Sequence, residues 1–410
     1  MATNAAPQTQ QPFEIPAHVP PGLVRDFNLY QFSGSDAGIH DAWKRVQDEW
    51  PEIFFTPHFG GYWVLTRADL LEAAWPDGEL FSSADSVGIP PPPKEMPPLI
   101  PIDSDDPYHR QLRVPLNLAL SPKAVQSLAE AARTLTIALI EELKPKGQCD
   151  FVEDFSLKMP MEIFLRIVDL PSGDREQLIS LAAATTHSPD MSKRGQAMKA
   201  MFDYLDGWVL ERSESPGNDL MSRIINMDID GRPLTHRERL GYVALVMFGG
   251  LDTVGGSMAF IAHHLATHEA DRKRLATNPA DIPQAIEEFL RRYSIPTVGR
   301  RLTRDTEIRG VHMKAGDRVM LPTCLHGLDQ RRYADSMTVD LDRCPRDHMA
   351  FGKGTHRCPG ASLARAEIKI FLEEWLQRIP DFSVAPGAQI RYLSGGVAGI
   401  HNLPLVWPTV

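Results

Sequence analysis

Apolar residues recur at spacings of three and four over most of the chain between residues 106 and 293. This is the period of an amphipathic α-helix, and capping residues and prolines divide the region into separate helices. The predicted helices are 106–119, 122–144, 154–168, 173–186, 191–213, 217–226, 235–266, 268–276 and 281–293, with one more at 361–379. The sequence therefore predicts a mainly α fold.

Shorter segments with strand character flank the helical region. Residues 53–66 predict a β-hairpin, because two runs rich in aromatic and β-branched residues are separated by a turn. Residues 301–321 and 382–406 predict further strands and turns. We find no internal repeat and no linker. The expected fold class is mainly α with a minor β region, in one domain over residues 13–410 behind a disordered tail at 1–12.

Composition and charge restrict the function. The chain has 410 residues, of which 43% are hydrophobic and 23% charged, as in an ordinary globular protein. The net charge of −10 argues against binding a nucleic-acid backbone. Its four cysteines form no CxxC pair, which argues against zinc and a secreted disulfide framework. We expect a cytoplasmic protein without a signal peptide and without an apolar run long enough to span a bilayer.

A proline-rich segment interrupts the pattern before the helical region. Seven of the twelve residues from Pro90 to Pro101 are proline. Such a segment cannot form a regular helix or a central strand. It predicts a semi-rigid loop, and long loops in compact domains are often functional.

One cysteine stands in an unusual setting. Residues 351–360 carry the spacing F-x-x-G-x-x-x-C-x-G, in which the cysteine is Cys358 and a predicted helix follows at once. Glycines let the backbone approach a flat group closely, and a helix start favours thiolate over thiol. A thiolate held in this way suits heme iron. The competing interpretation is a buried structural cysteine.

A second motif lies in the long apolar helix around residue 250. Two glycine pairs, Gly249-Gly250 and Gly255-Gly256, flank Asp252 and Thr253. Each glycine costs up to about 1 kcal/mol in a helix interior, and a buried carboxylate is costly unless paired. The motif is either a packing device, with Thr253 bonded back to the Gly249 carbonyl, or an acid–alcohol pair that moves protons.

With these motifs the chain resembles the cytochrome P450 family of heme-thiolate monooxygenases, and within it the soluble bacterial camphor 5-monooxygenase subgroup. The resemblance implies a triangular helical prism around a buried heme b. It implies Cys358 as the axial ligand, and Asp252 and Thr253 as the acid–alcohol pair that delivers protons to dioxygen. The implied activity is insertion of one oxygen atom from O2 into an unactivated C–H bond.

The resemblance also assigns supporting residues. It implies that the heme propionates are bound by four positions, which are His109, Arg113, Arg300 and His356. The family's buried E-x-x-R pair corresponds to Glu288 and Arg291, and Arg343 is the candidate third member of that structural network. A basic residue often tethers the distal acid, and this sequence offers only His187 near the expected place.

Departures from the camphor subgroup suggest a different substrate. Where a tyrosine donates a hydrogen bond to the camphor ketone, this chain has Pro97, which has no donor. The candidate pocket residues are Gly88, Pro97, Ile102, Leu245, Phe248, Gly249, Thr297, Val298 and Val397. Loss of a polar anchor reduces discrimination for the ketone. We therefore expect another small terpenoid, such as a monoterpene or a norisoprenoid of the ionone type.

The resemblance implies electron delivery from NADH through a ferredoxin reductase and a [2Fe–2S] ferredoxin, and a monomeric enzyme. Arg110 and Arg113 would face the ferredoxin if they lie on the cysteine side of the heme, and the competing interpretation is that they are solvated surface charges. Alternatives are a heme-thiolate sensor or ligand-binding protein without turnover, a monooxygenase for a non-terpenoid apolar compound, and a peroxide-driven enzyme. The acid–alcohol pair argues against the sensor. Peroxide-driven members generally replace that pair with an arginine, and no arginine occurs between residues 242 and 260.

Overall fold

The computed structural model describes residues 13–85, 87–187 and 190–409, without the side chains of Ser127, Thr186, His187, Met191 and Leu251. The predicted N-terminal tail, residues 1–12, lies outside the described residues.

Thirteen α-helices lie in the described part of the chain. They are α1 (Ile39–Glu49), α2 (Ala68–Ala74), α3 (Tyr108–Ala119), α4 (Pro122–Leu143), α5 (Lys158–Val168), α6 (Arg175–His187), α7 (Met191–Glu214), α8 (Leu220–Ile225), α9 (His236–Thr267), α10 (Glu269–Thr277), α11 (Ile282–Arg292), α12 (Cys324–Gly327) and α13 (Ala361–Arg378). All ten predicted helices are present. Helix α5 begins later than predicted because a π-helical turn, Val152–Ser156, precedes it.

The sequence prediction missed α1, α2 and α12. Helix α1 has an amphipathic face that buries Ile39, Trp43 and Val46, so its signal was present in the sequence. Helix α12 is only four residues long, which is too short for a periodic pattern to identify.

Fourteen short strands occur in the same described ranges. They are β1 (Ile53–Thr56), β2 (Tyr62–Leu65), β3 (Phe81–Ser82), β4 (Gln148–Asp150), β5 (Asp228–Ile229), β6 (Arg232–Pro233), β7 (Thr297–Leu302), β8 (Thr306–Ile308), β9 (Val311–Met313), β10 (Arg318–Pro322), β11 (Ser383–Val384), β12 (Arg391–Leu393), β13 (Gly399–Asn402) and β14 (Pro404–Val406). The largest sheet has the order β1-β2-β10-β7-β3. The predicted hairpin is confirmed, with Ile53 opposite Leu65.

Helix α9 connects the two hydrophobic clusters of the molecule. Its first half contributes Tyr242 and Met247 to one cluster, and its second half contributes Met258 and Phe260 to the other. The helix begins with a capping box formed by Thr235 and its N3 glutamate. By length and composition it could cross a membrane, so the expectation that no run is apolar enough was wrong. In the structure α9 packs against α5, α7 and α13 instead.

A buried ion pair fixes the region behind the cysteine loop. Glu288 and Arg291, one turn apart on α11, are fully buried and their side chains are 2.7 Å apart. Arg291 also donates to the carbonyls of Gly327 and Ser336. Arg343 Nη1 lies 3.7 Å from Glu288 Oε1. The structure thus brings together the three residues that the sequence grouped as a structural network, and α11 packs against α13.

Candidate active site

A cavity of about 300 Å³ lies where α3, α9, β7 and the cysteine loop meet, and its walls are mostly apolar. Cys358 lies in one wall, and Gly249, Gly250 and Thr253 of α9 lie in another. Of the four cysteines, all within the described residues, Cys358 alone lines this cavity.

The geometry of the cysteine loop requires its glycines. Gly352 and Gly354 both have φ near +67°, a conformation that favours glycine. A Cβ at Gly352 would lie 2.5 Å from the Trp75 ring, and one at Gly354 would lie 2.8 Å from Pro76 Cα. The Cys358 amide donates to the Phe351 carbonyl at 2.8 Å, which closes the loop. The loop is therefore held tightly against Trp75 and Pro76, and Cys358 is exposed towards the cavity.

Opposing effects act on the Cys358 thiol. Burial raises its pKa, while a hydrogen bond from the Gly360 backbone and the charge of Arg113 act in the opposite direction. Burial dominates and the pKa of the thiol is raised, whereas the sequence argument expected the start of α13 to favour the thiolate. A metal ion coordinated by the Cys358 sulfur would stabilise the thiolate, because a thiol that coordinates a metal is deprotonated.

Four basic side chains line the same cavity, as the sequence predicted for a carboxylate-binding set. The rings of His109 and His356 are 4.0 Å apart, and Arg113 and Arg300 also lie in the wall. Burial, followed by the charges of His109, Arg300 and Arg113, lowers the pKa of His356 to about 2. Burial also lowers the pKa of Arg300 to about 10. Each group is thus held where its charged form is disfavoured.

These basic groups have unmet hydrogen-bonding capacity. Neither ring nitrogen of His109 has a partner among the described residues, nor does Nε of Arg113. The nearest carboxylate oxygen, Asp106 Oδ1, is 3.6 Å from His109 Nδ1, which is too long for a hydrogen bond. Burial lowers the pKa of Arg113 and of Arg300, so neighbouring charges only partly offset the cost of burying their guanidinium groups. Two carboxylates would pair with these cations and accept hydrogen bonds from the set. The residues present therefore fit heme b, which brings two propionates and an iron for Cys358.

The acid–alcohol pair is divided between the cavity and the helix interior. Thr253 lines the cavity, and its hydroxyl donates to the Gly249 carbonyl at 2.9 Å. Asp252 is buried, with 6% exposure, but does not line the cavity. The hydrogen bond from the Thr253 hydroxyl to its own helix is what the packing interpretation predicts. The position of Thr253 in the cavity wall is what the catalytic interpretation predicts. The two interpretations are compatible.

The two glycine pairs of α9 have different roles. A Cβ added at Gly249 or Gly250 would meet no atom within 4 Å, and both residues face the cavity. A Cβ at Gly255 would lie 2.6 Å from the carbonyl oxygen of Ser156 in the π-helical turn. The first pair leaves space over the cavity, and Gly255 permits close helix packing.

The predicted pocket is only partly present. Ile102, Leu245, Gly249 and Val298 line the cavity, and five predicted residues do not. Those five are Gly88, Pro97, Phe248, Thr297 and Val397. Wall residues that the sequence prediction missed are Phe164, Ile167, Leu220 and Val246. The apolar face of α5 was a usable signal for the first two, since side chains on one helix face share an environment.

Local contacts explain why the five residues point elsewhere. The carbonyl of Gly88 accepts a hydrogen bond from Arg318, and Phe248 packs against the second hydrophobic cluster. Pro97 packs against α9 near Gly241. Thr297 precedes Val298 on β7, where successive side chains point to opposite faces of the sheet. Val397 pairs through its backbone with Pro296.

Two further predictions concern charged side chains. The side chain of His187 lies outside the described residues, so its predicted tether to Asp252 stays a prediction. Arg110 lies on α3 with 78% of its side chain exposed and pairs with Asp106. Arg113, by contrast, lines the cavity and donates to the Arg357 carbonyl at 2.7 Å.

Comparisons with known proteins agree with this geometry. A family model described as cytochrome P450 matches residues 282–393. The probable cytochrome P450 127A1 of Sinorhizobium fredii is 35% identical over 407 residues, which cover 96% of this chain and 97% of that protein. The methyl-branched lipid omega-hydroxylase of Mycobacterium bovis is 30% identical over 433 residues, covering 99% and 100%.

A solved structure supports the fold. The crystal structure of CYP101J2 is 38% identical to this chain and superposes with a TM-score of 0.85, covering 96% of this chain and 100% of that one. The expected fold class, mainly α with a minor β region in the P450 arrangement, is thereby confirmed.

Proposed function

The chain belongs to the cytochrome P450 family of heme-thiolate monooxygenases, and from that premise we propose that it hydroxylates a small apolar terpenoid, such as a monoterpene or an ionone-type norisoprenoid. Members of the family bind heme b through a cysteine thiolate. In this chain Cys358 would ligate the iron, and the basic set of His109, Arg113, Arg300 and His356 would bind the propionates. When bound, the heme supplies the activation of O2 by which one oxygen atom enters a C–H bond and the other leaves as water.

The protein's own part in the chemistry is proton supply. Thr253 lines the cavity, and Asp252 precedes it on the same helix. Asp252 would take protons from water, and the Thr253 hydroxyl would orient and pass them at its Oγ1 atom. Gly249 and Gly250 border open space, and this space would accommodate O2 beside the Thr253 hydroxyl.

The observation that carries the substrate proposal is the apolar wall between Cys358 and α9. Ile102, Leu245, Val246 and Val298 line it with side chains that offer no hydrogen-bond donor. Such a wall selects by shape and apolar contact. It favours a hydrocarbon-rich substrate over a polar one.

Electron supply and location complete the proposal. Electrons would come from NADH through a ferredoxin reductase and a [2Fe–2S] ferredoxin, which the exposed cation of Arg110 would help to attract. The enzyme would work as a cytoplasmic monomer.

A spectral titration tests the substrate class. Purified heme-loaded protein is titrated with monoterpenes, ionones and, as comparison, steroids and fatty acids, and the conversion of heme from low to high spin is recorded. We expect conversion with at least one terpenoid, followed by a hydroxylated product when NADH, reductase and ferredoxin are added. Conversion only by the steroids or fatty acids would overturn the terpenoid assignment, and binding without product would favour the ligand-binding alternative.

A further inference from the structure

Two adjacent glutamates on α11 pair with arginines in different directions. Glu288 pairs with Arg291 on its own helix. Glu287 pairs instead with Arg365 on α13, which follows Cys358 by seven residues. The Arg365 guanidinium donates from Nε to Glu287 Oε1 at 2.6 Å and from Nη2 to Oε2 at 2.8 Å. A bidentate pair of this kind is strong and directional, so it fixes the place of the guanidinium.

A histidine holds the same carboxylate. His348 is buried, and its Nδ1 accepts a hydrogen bond from the Ala350 amide at 3.2 Å. The ring proton is therefore on Nε2, which lies 3.1 Å from Glu287 Oε2 and donates to it. Burial disfavours the charge of Glu287, but the hydrogen bonds from Arg365 and His348 outweigh burial and lower the pKa of this carboxyl to about 2. Glu287 is thus a carboxylate at neutral pH.

Arg365 also lies against the cysteine loop. Its guanidinium carbon is 4.5 Å from the centroid of the Phe351 ring, which is within the range of a cation–π contact. The Phe351 carbonyl accepts the hydrogen bond from the Cys358 amide, and both residues line the cavity. The pair therefore presents its positive member to the loop that carries the candidate iron ligand.

The charge of Arg365 acts on the cysteine sulfur. Burial raises the pKa of the Cys358 thiol, and Arg365 is among the positive charges that oppose this effect. Only 30% of the Arg365 side chain and 18% of the Glu287 side chain are exposed. Partly buried charges are screened less than those of a surface pair, so both charges should act on the centre at Cys358.

We propose that the Glu287–Arg365 pair sets the reduction potential of the heme iron on Cys358, with Arg365 as the positioning residue that directs a positive charge at the cysteine loop. Reduction adds one electron to the centre, and a nearby cation stabilises the reduced form by Coulomb attraction. The Glu287 carboxylate has the opposite effect, and it also holds Arg365 in place. The inference rests on the proposed function only in taking Cys358 as the iron ligand.

Reduction potentials of heme-loaded, substrate-free variants test the inference. Arg365→Gln removes the cation and leaves Glu287 uncompensated, so we expect the equilibrium constant for reduction to fall about tenfold, which is about 59 mV for one electron. Glu287→Gln leaves the cation uncompensated and should raise the constant. The double variant removes both charges and should lie between the single variants. Spectroelectrochemical titration measures each potential.

Two further variants separate charge from packing. Arg365→Lys retains the positive charge without the bidentate geometry or the stacked guanidinium, and its potential should stay closer to the parent than that of Arg365→Gln. Lys369→Gln is the matched control, because it removes a cation one turn further along α13 whose side chain is 47% exposed. Its potential should equal that of the parent.

A parent-like potential in Arg365→Gln would overturn the inference. Shifts of the same sign in Arg365→Gln and Glu287→Gln would also overturn it, because loss of packing alone moves both variants alike. Equal potentials in Arg365→Lys and Arg365→Gln would show that the charge has no such role. The carbon-monoxide complex of each variant reports separately whether the thiolate ligates the iron. No substrate enters these measurements, so a silent terpenoid panel would leave the test intact.

Discussion

At the scale of single residues, Thr253 and Glu367 are two polar side chains in the wall of one cavity that differ in their hydrogen bonding. Thr253 lines the cavity with its hydroxyl bonded to its own helix. Glu367, on α13, also lines the cavity, is 2% exposed, and has no hydrogen-bond partner for Oε2 among the described residues. The first is suited to proton transfer, and the second is a buried acid that favours its neutral form.

Removal of the Thr253 hydroxyl should separate oxygen consumption from product formation. We expect Thr253→Ala to lower product formation by roughly a hundredfold, within the range of general acid–base effects, while NADH is still oxidised and hydrogen peroxide accumulates. Thr253→Ser retains a hydroxyl and should recover most of the product. The ratio of product to NADH consumed measures this, and equal ratios in the parent and Thr253→Ala would contradict the role.

The buried Glu367 should make stability depend on pH. Burial raises its pKa from 4.5 to about 8 in the folded protein. Between these values the folded carboxyl binds a proton that the unfolded one has lost, so stability falls as pH rises from 4.5 towards 8. The slope is at most about 1.4 kcal/mol per pH unit.

Urea unfolding at several pH values measures this slope. Glu367→Gln should flatten the dependence, because the amide does not titrate. The exposed Glu130→Gln on α4 serves as the control and should keep the parent slope. An unchanged slope in Glu367→Gln would contradict the assignment.

At the scale of elements, α9 uses its two glycine pairs in opposite ways. Gly255 lies against the backbone of the π-helical turn, whereas Gly249 borders open space. An added methyl group should therefore be destabilising in one pair and tolerated in the other.

Alanine substitutions test this difference. Gly255→Ala should cost about 1–3 kcal/mol of folding stability, since the Ser156 carbonyl must move. Gly249→Ala should leave the folding stability unchanged or raise it by up to about 1 kcal/mol through helix propensity. The new methyl group should also narrow the cavity and weaken the binding of bulky ligands. Thermal unfolding of both variants and 4-phenylimidazole titration distinguish these effects, and equal destabilisation would refute the division of roles.

At the scale of the whole molecule, the basic set joins α3, β7 and the cysteine loop around one cavity. Arg300 is 2% exposed and its guanidinium lies 5.1 Å from the Trp75 ring centroid. Burial disfavours its charge. The charge of Arg300 should therefore lower the free energy of unfolding in the empty protein and raise it when an anionic group is bound.

Arg300→Gln should show this reversal. In heme-free protein we expect unfolding at the same or a higher urea concentration than the parent, because a costly buried cation is gone. In heme-loaded protein we expect a loss of about 1.5–3 kcal/mol, the range for a charged hydrogen bond. Arg301→Gln, next along β7, removes an exposed cation paired with Asp85 and should change either form by less than about 1 kcal/mol. Destabilisation of both forms by Arg300→Gln would contradict the argument.

Much of the fold was predictable because its elements are long and periodic. Ten helices and the first hairpin follow from local spacing alone. The cavity wall was less predictable: Ile102 and Val298 line the cavity, but Phe248 packs against a hydrophobic cluster and Pro97 against α9. Periodicity gives the face of a helix, and a small rotation decides which neighbour that face meets.

The sequence by itself determined the helices and the spacing of the cysteine loop, because these depend on residue type at short spacing. Only the tertiary structure decided that burial raises the pKa of the Cys358 thiol and that Glu367 is a buried acid without a partner for Oε2 among the described residues. It also decided that Arg237 hydrogen-bonds a loop more than 130 residues away in sequence. These properties depend on desolvation and on contacts between distant segments. Both arise only when the chain is packed, so no local pattern contains them.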